Sequence, residues 1–129
     1  MDRQVQVRYL RRVLVAKVII TIFVWGLPAF VAPLSLLSFL QLPVPIEPIY
    51  LRLFGGAAIA WGIAYWYAYK DPITNIAILR AGLVDNALPT VAVFGFGIMG
   101  YHSSLFLWVS GLLTAFFFFA FLFLTPRTT

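Results

Sequence analysis

The chain has no cysteine among its 129 residues, which excludes disulfides, iron–sulfur clusters and thiolate zinc sites. Acids are nearly as scarce: Asp2, Glu47, Asp71 and Asp85 are all of them, and His102 is the single histidine. A protein-only metal cage needs three or four convergent ligands, so none is expected. Charged residues make up 10% of the chain, against about 25% in an ordinary soluble domain. Enzyme signatures are missing as well, with no Gly-x-Ser-x-Gly, no His-Glu-x-x-His and no glycine loop set to cradle a phosphate. Ser103 and Ser104 adjoin His102, but no acid is placed to orient its ring. The chain reads as non-catalytic and without a cofactor.

Apolar sequence fills the space that charge vacates. Four stretches, 13–31, 50–69, 76–99 and 105–124, are each about long enough to cross a bilayer. About 30 Å of hydrocarbon at about 1.5 Å per residue needs roughly 20 apolar residues. The expected fold is all-α: one integral membrane domain over 1–129, a four-transmembrane-helix up-down bundle. Short connections at Lys70-Asp71-Pro72 and Gly100-Tyr101-His102-Ser103 favour antiparallel neighbours. The first apolar stretch imitates a secretory signal. Phe30 and Pro33 stand where cleavage after Ala32 needs small residues and no proline, so it is expected to be a retained span.

Charge placement sets the expected orientation. With a cytoplasmic N-terminus, Arg3, Arg8, Arg11, Arg12, Lys17, Lys70, Arg80 and Arg127 lie toward the inside and only Arg52 toward the outside. The positive-inside rule therefore puts both termini in the cytoplasm, and a bacterial inner membrane is the expected location. The cluster from Arg3 to Arg12 would meet anionic headgroups, each residue contributing about 1 kcal/mol. The net charge of +5 is thus assigned to lipid, and no nucleic acid is expected.

Between the first two spans, 32–48 is apolar but too short to cross. Pro33 suits a first helical turn, Leu34 to Leu40 supply an apolar run, and Pro43, Pro45 and Pro48 stop it. A short helix in the outer interface is expected, either a spacer or a lid over a binding cavity. Pro28 and Pro89 are expected to kink the first and third spans.

In the second span, Arg52, Gly55, Ala58, Gly62, Tyr65 and Tyr69 share one helical face. Gly55, Ala58 and Gly62 read first as a close helix contact, because packing drives association in lipid. In the third span, Asp85 lies near mid-membrane, where a lone carboxylate costs at least about 2.5 kcal/mol. Lys17 is the depth-compatible partner, and Asn86, Pro89 and Thr90 add polarity nearby. A Lys17–Asp85 bridge would either lock two helices or belong to a proton or substrate path; Arg52 begins near the opposite surface. His102 is a candidate axial ligand, though its place beside Tyr101 reads first as a headgroup-level side chain. Phe116 to Phe119, Phe121 and Phe123 cover every face of the inner half of the last span, as a lipid- or partner-facing helix would.

Arg52-Leu53-Phe54-Gly55-Gly56 opening a span and Tyr69-Lys70-Asp71-Pro72 closing it resemble the small bacterial four-helix membrane proteins of the DoxX-like kind. The resemblance covers the middle third of the chain. It implies a four-helix bundle and, by analogy with DoxX itself, association with a quinone-using membrane oxidoreductase; no catalytic residue transfers. The leading expectation is an accessory or scaffold subunit of a bacterial inner-membrane complex, respiratory or photosynthetic, with partner subunits or further copies of itself. The rival is a protein that binds or carries a quinone, a lipid or a proton-coupled substrate at Asp85, Lys17, Arg52 and Asn86.

Overall fold

The computed structural model describes residues 1–127, so the last two residues of the single expected domain lie outside the described ones. The described chain is all-helical. A first continuous helix comprises α1 (Arg3–Ile19), a π-helical segment (Ile20–Gly26) and α2 (Leu27–Val31). A short α3 (Ser35–Phe39) follows, and then three long helices: α4 (Ile49–Lys70), α5 (Ile76–Ile98) and α6 (Leu105–Leu124).

Among the described residues, three helices are long and apolar enough to cross a membrane: Arg3–Val31, Ile76–Ile98 and Leu105–Leu124. The expected second span falls short on composition rather than length. With 22 residues, α4 is about 33 Å long, but its glycines, tyrosines and tryptophans are poorer apolar residues than the leucines, valines and phenylalanines of α5 and α6.

The first helix begins at Arg3 rather than Val13, and its basic end is tied down. Arg11 donates from its guanidinium to the Lys70 carbonyl at 3.2 Å, and Gln6 donates from its side-chain amide to the Phe123 carbonyl at 3.1 Å. Both acceptors lie in the last turns of α4 and α6, where carbonyls lack helical partners. These residues therefore cap other helices as well as carrying charge.

The π segment has a local cause. Pro28 has no amide hydrogen and its ring crowds the carbonyl of Val24, so regular α geometry fails there. The Leu27 amide reaches back five residues to Ile22 instead. Pro89 is carried inside α5 without interrupting it; its missing amide deprives the Asp85 carbonyl of its helical donor.

Small residues let α4 lie against this first helix. A Cβ on Gly55 would fall 2.7 Å from the Gly26 carbonyl oxygen and against the backbone of Phe30, and one on Gly62 would collide with Ile22. Gly55 and Gly62 thus sit at close approaches to the first helix, while Ala58 faces an interior space.

The molecule has a packed half and a hollow half. Leu10, Leu14, Tyr65, Ala68, Leu79 and Phe121 form the core. They occupy the half of the fold nearer the start of α1 and the turn from α4 to α5. Beyond Lys17, on the side of the π segment and α3, the interior opens.

Candidate functional site

That opening is a cavity of about 470 Å³. Protein interiors are packed like organic crystals, with few voids larger than a water molecule, so a space of this size is an architectural feature. Each helix contributes a stripe at helical spacing: Lys17, Thr21, Trp25, Pro28 and Ala32 from the first, Phe54, Ala58 and Trp61 from α4, Asp85, Pro89 and Val93 from α5, and Leu107, Ser110 and Thr114 from α6. Lys17 to Pro28 covers about 16 Å of helix, and Ala32 lies just past the helix end. Polar groups gather at the Lys17 end. At the other end Leu36, Leu37, Leu40 and Leu42, from α3 and the residues after it, form an apolar cover.

The cover is built by backbone chemistry that the sequence did not advertise. Gln41 takes a positive φ of 59°. Its amide bonds to the Ser38 carbonyl, and the Leu42 amide bonds to the Leu37 carbonyl. That 5→2 and 6→1 pair is the left-handed helix cap usually made by glycine, and Leu37 and Leu42 are the two positions whose apolar side chains accompany it. Ser104, fully buried, donates from its hydroxyl to the Leu40 carbonyl at 2.7 Å and so ties the cover to the start of α6.

At the polar end, Lys17 is only 1% exposed. Its ammonium donates to Asn86 Oδ1 at 2.6 Å and lies 4.9, 5.3 and 4.8 Å from the ring centres of Trp25, Tyr65 and Phe117. An ammonium against aromatic faces is attracted by the ring quadrupoles, more strongly where water is excluded. Asn86 is fixed in turn by donating to the Gly82 carbonyl at 2.7 Å. Asp85 accepts the Tyr65 hydroxyl at 2.6 Å and attracts Lys17 electrostatically.

The short contacts therefore differ from the expected Lys17–Asp85 bridge. Lys17 bonds to the residue next to Asp85, and the carboxylate takes a tyrosine. The reason is rotational: successive helical residues point about 100° apart, so Asn86 faces α1 while Asp85 turns toward α4 and the cavity. Lys17, Asp85 and Asn86 are brought together. Arg52 is not, since its guanidinium donates to the Ala29 carbonyl at 3.2 Å and Leu51 and Phe54 line the cavity in its place.

Several participants carry no clear signal in the sequence. Tyr65 shares the small-residue face of α4, where it looks like packing; its phenol about one helical turn beyond Gly62 is the signal the sequence offers. Thr21 is 3% exposed and its hydroxyl has no hydrogen-bond partner among the described residues. Trp25 donates from its indole nitrogen to the Ser110 hydroxyl at 3.0 Å, across one wall of the cavity.

His102 is committed elsewhere. Its Nε2 donates to the Val93 carbonyl at 2.8 Å, its Nδ1 is buried without a partner, and its ring lies 5.1 Å from that of Trp108. No group of three metal-ligating side chains occurs among the described residues. Gly95, Gly97 and Gly100 have the spacing of a dinucleotide-binding turn. They close α5 rather than following a strand and opening a helix, so the backbone amides that such a turn aims at phosphate are not assembled there.

No protein-family model, curated protein or solved structure matches the chain.

Proposed function

We propose that this is a small integral membrane protein that holds one amphiphilic molecule within the bilayer, its head at Lys17, Thr21 and Asp85 and its apolar body beneath the α3 cover. The observation that carries this reading is the cavity's polarity, which runs from the charged and hydroxyl groups at one end to four leucines at the other. Ligand cavities of about 300–1,000 Å³ are mostly apolar with a few placed polar groups, and this one has that character. Residues of the short helix line it, which favours a lid over a spacer.

In the same proposal α4 crosses alongside the three more apolar helices. Its length suffices, and its glycines are spent on contact with the first helix. The result is a four-span up-down bundle in a bacterial inner membrane with both termini in the cytoplasm, and the arginines before Leu14 face anionic headgroups.

A second reading, an accessory subunit of a larger membrane assembly as the DoxX-like resemblance implies, draws on the outward phenylalanines of α6. Phe116, Phe119 and Phe123 are 57%, 53% and 71% exposed and would suit a partner as well as lipid. Purification from native membranes in mild detergent, followed by native mass spectrometry, separates the readings. The first expects a retained small molecule that is lost from Ala58→Trp, a substitution that fills the cavity. The second expects co-purifying subunits and no bound small molecule, and that result would overturn the first.

A further inference from the structure

The polar end of the cavity selects against charge. Resting on the ligand-binding reading above, we propose that its occupant carries an uncharged head that both donates and accepts hydrogen bonds, a lipid alcohol or phenol, rather than an anionic or cationic headgroup.

The argument begins with the charges already present. Lys17 and Asp85 are the ionisable side chains lining the cavity. One cation and one carboxylate together sum to zero. Lys17 is moreover enclosed by three aromatic rings and Asn86, so it is already engaged. A charged head arriving here would leave one uncompensated charge in a medium of low polarity, a costly outcome. An uncharged head meets no such penalty.

The hydrogen-bonding groups left over define what that head must offer. The Thr21 hydroxyl is buried and without a partner among the described residues. Ser110 accepts from Trp25 and keeps its own proton for another acceptor. Asp85 has taken Tyr65 on Oδ2, which leaves Oδ1 to accept. Two hydroxyl donors and one carboxylate acceptor match a head with an oxygen that accepts and a proton that donates. An ester or ether would satisfy only the donors, and leaving Asp85 Oδ1 dry and unmatched costs free energy.

The test titrates the detergent-solubilised protein with three probes of one chain length, palmityl alcohol, palmitate and palmitylamine, and counts bound molecules by native mass spectrometry at neutral pH. The expected result is that the alcohol binds at least tenfold more tightly than either charged probe. Thr21→Val, which keeps the shape and removes the hydroxyl, should weaken the alcohol several-fold and leave the charged probes unchanged. Equal or tighter binding of palmitate or palmitylamine would overturn the inference while leaving a ligand cavity in place. If no probe binds the native chain more tightly than it binds Ala58→Trp, the ligand-binding reading falls and this inference with it. Should Ala58→Trp fail to fold, Leu37→Trp fills the same cavity from the cover side.

Discussion

Lys17 shows how a charge is made tolerable in an apolar interior. It is surrounded by an amide oxygen, three ring faces and a nearby carboxylate, and each supplies part of what water would supply. Lys17→Met is expected to destabilise the protein by about 1–3 kcal/mol, because Asn86 Oδ1 loses its donor and Asp85 its countercharge. Adding Asp85→Asn should restore part of that loss. Thermal unfolding of the two single variants and the double variant in detergent measures the coupling, and strictly additive losses would show that the two groups do not interact. Tyr65→Phe removes only the hydroxyl from Asp85 and should cost about 1.5–3 kcal/mol in the same assay. The sequence placed Lys17 and Asp85 at compatible depths, since depth follows from counting residues. It did not give their partners, because a single residue's rotation decides between Asp85 and Asn86.

Elements are held by devices of different legibility. The turn after α4 was readable as Lys70-Asp71-Pro72, and Asp71 proves to organise it. Its carboxylate accepts the Thr74 hydroxyl at 2.6 Å and the amides of Ile73 and Thr74 at 3.2 and 3.1 Å. These bonds, the Thr74 hydroxyl first, hold its carboxyl below the ordinary 3.8. A depressed folded pKa gives stability that is present above the ordinary value and lost as the pH falls through the folded one. Melting temperature should therefore drop on acidification below about pH 4, and Asp71→Asn should blunt that drop. The cap of α3 was not readable, because glutamine occupies a position where glycine is the usual signal. Left-handed backbone at a non-glycine residue costs about 1–2 kcal/mol. Gln41→Gly is expected to recover a fraction of that and raise the melting temperature; a decrease would mean the Gln41 side chain supplies something the backbone does not.

As a whole, the molecule was legible where one helix at a time carries the information and illegible where four meet. Apolar length gave the long helices, although α4, built for contact with the first helix through Gly55 and Gly62, is less apolar than the rest. The cavity has no local signature. It exists because stripes from the first helix, α4, α5 and α6 converge, and each stripe alone reads as ordinary packing. The absence of cysteine makes the proposed four-span topology directly testable. Single cysteines at Asp2 and Thr74 are expected to react with an impermeant thiol reagent only in inverted vesicles, and cysteines at Glu47 and Ser103 only in intact cells. Labelling of Thr74→Cys and Glu47→Cys from the same side would rule out a membrane-crossing α4.

The π segment sets a rule about length. A π turn takes up one residue more than an α turn, so returning Ile20–Gly26 to α geometry at unchanged length would turn everything after it by about 100° relative to α1. Pro28, Ala29 and Ala32 would swing off the cavity, and Gly26 would leave Gly55. Deleting one residue from the segment cancels that turn, so a one-residue deletion here should be better tolerated than one inside α1, with thermal unfolding in detergent as the measure. The segment thus acts as a phase adjuster between the two ends of one long helix.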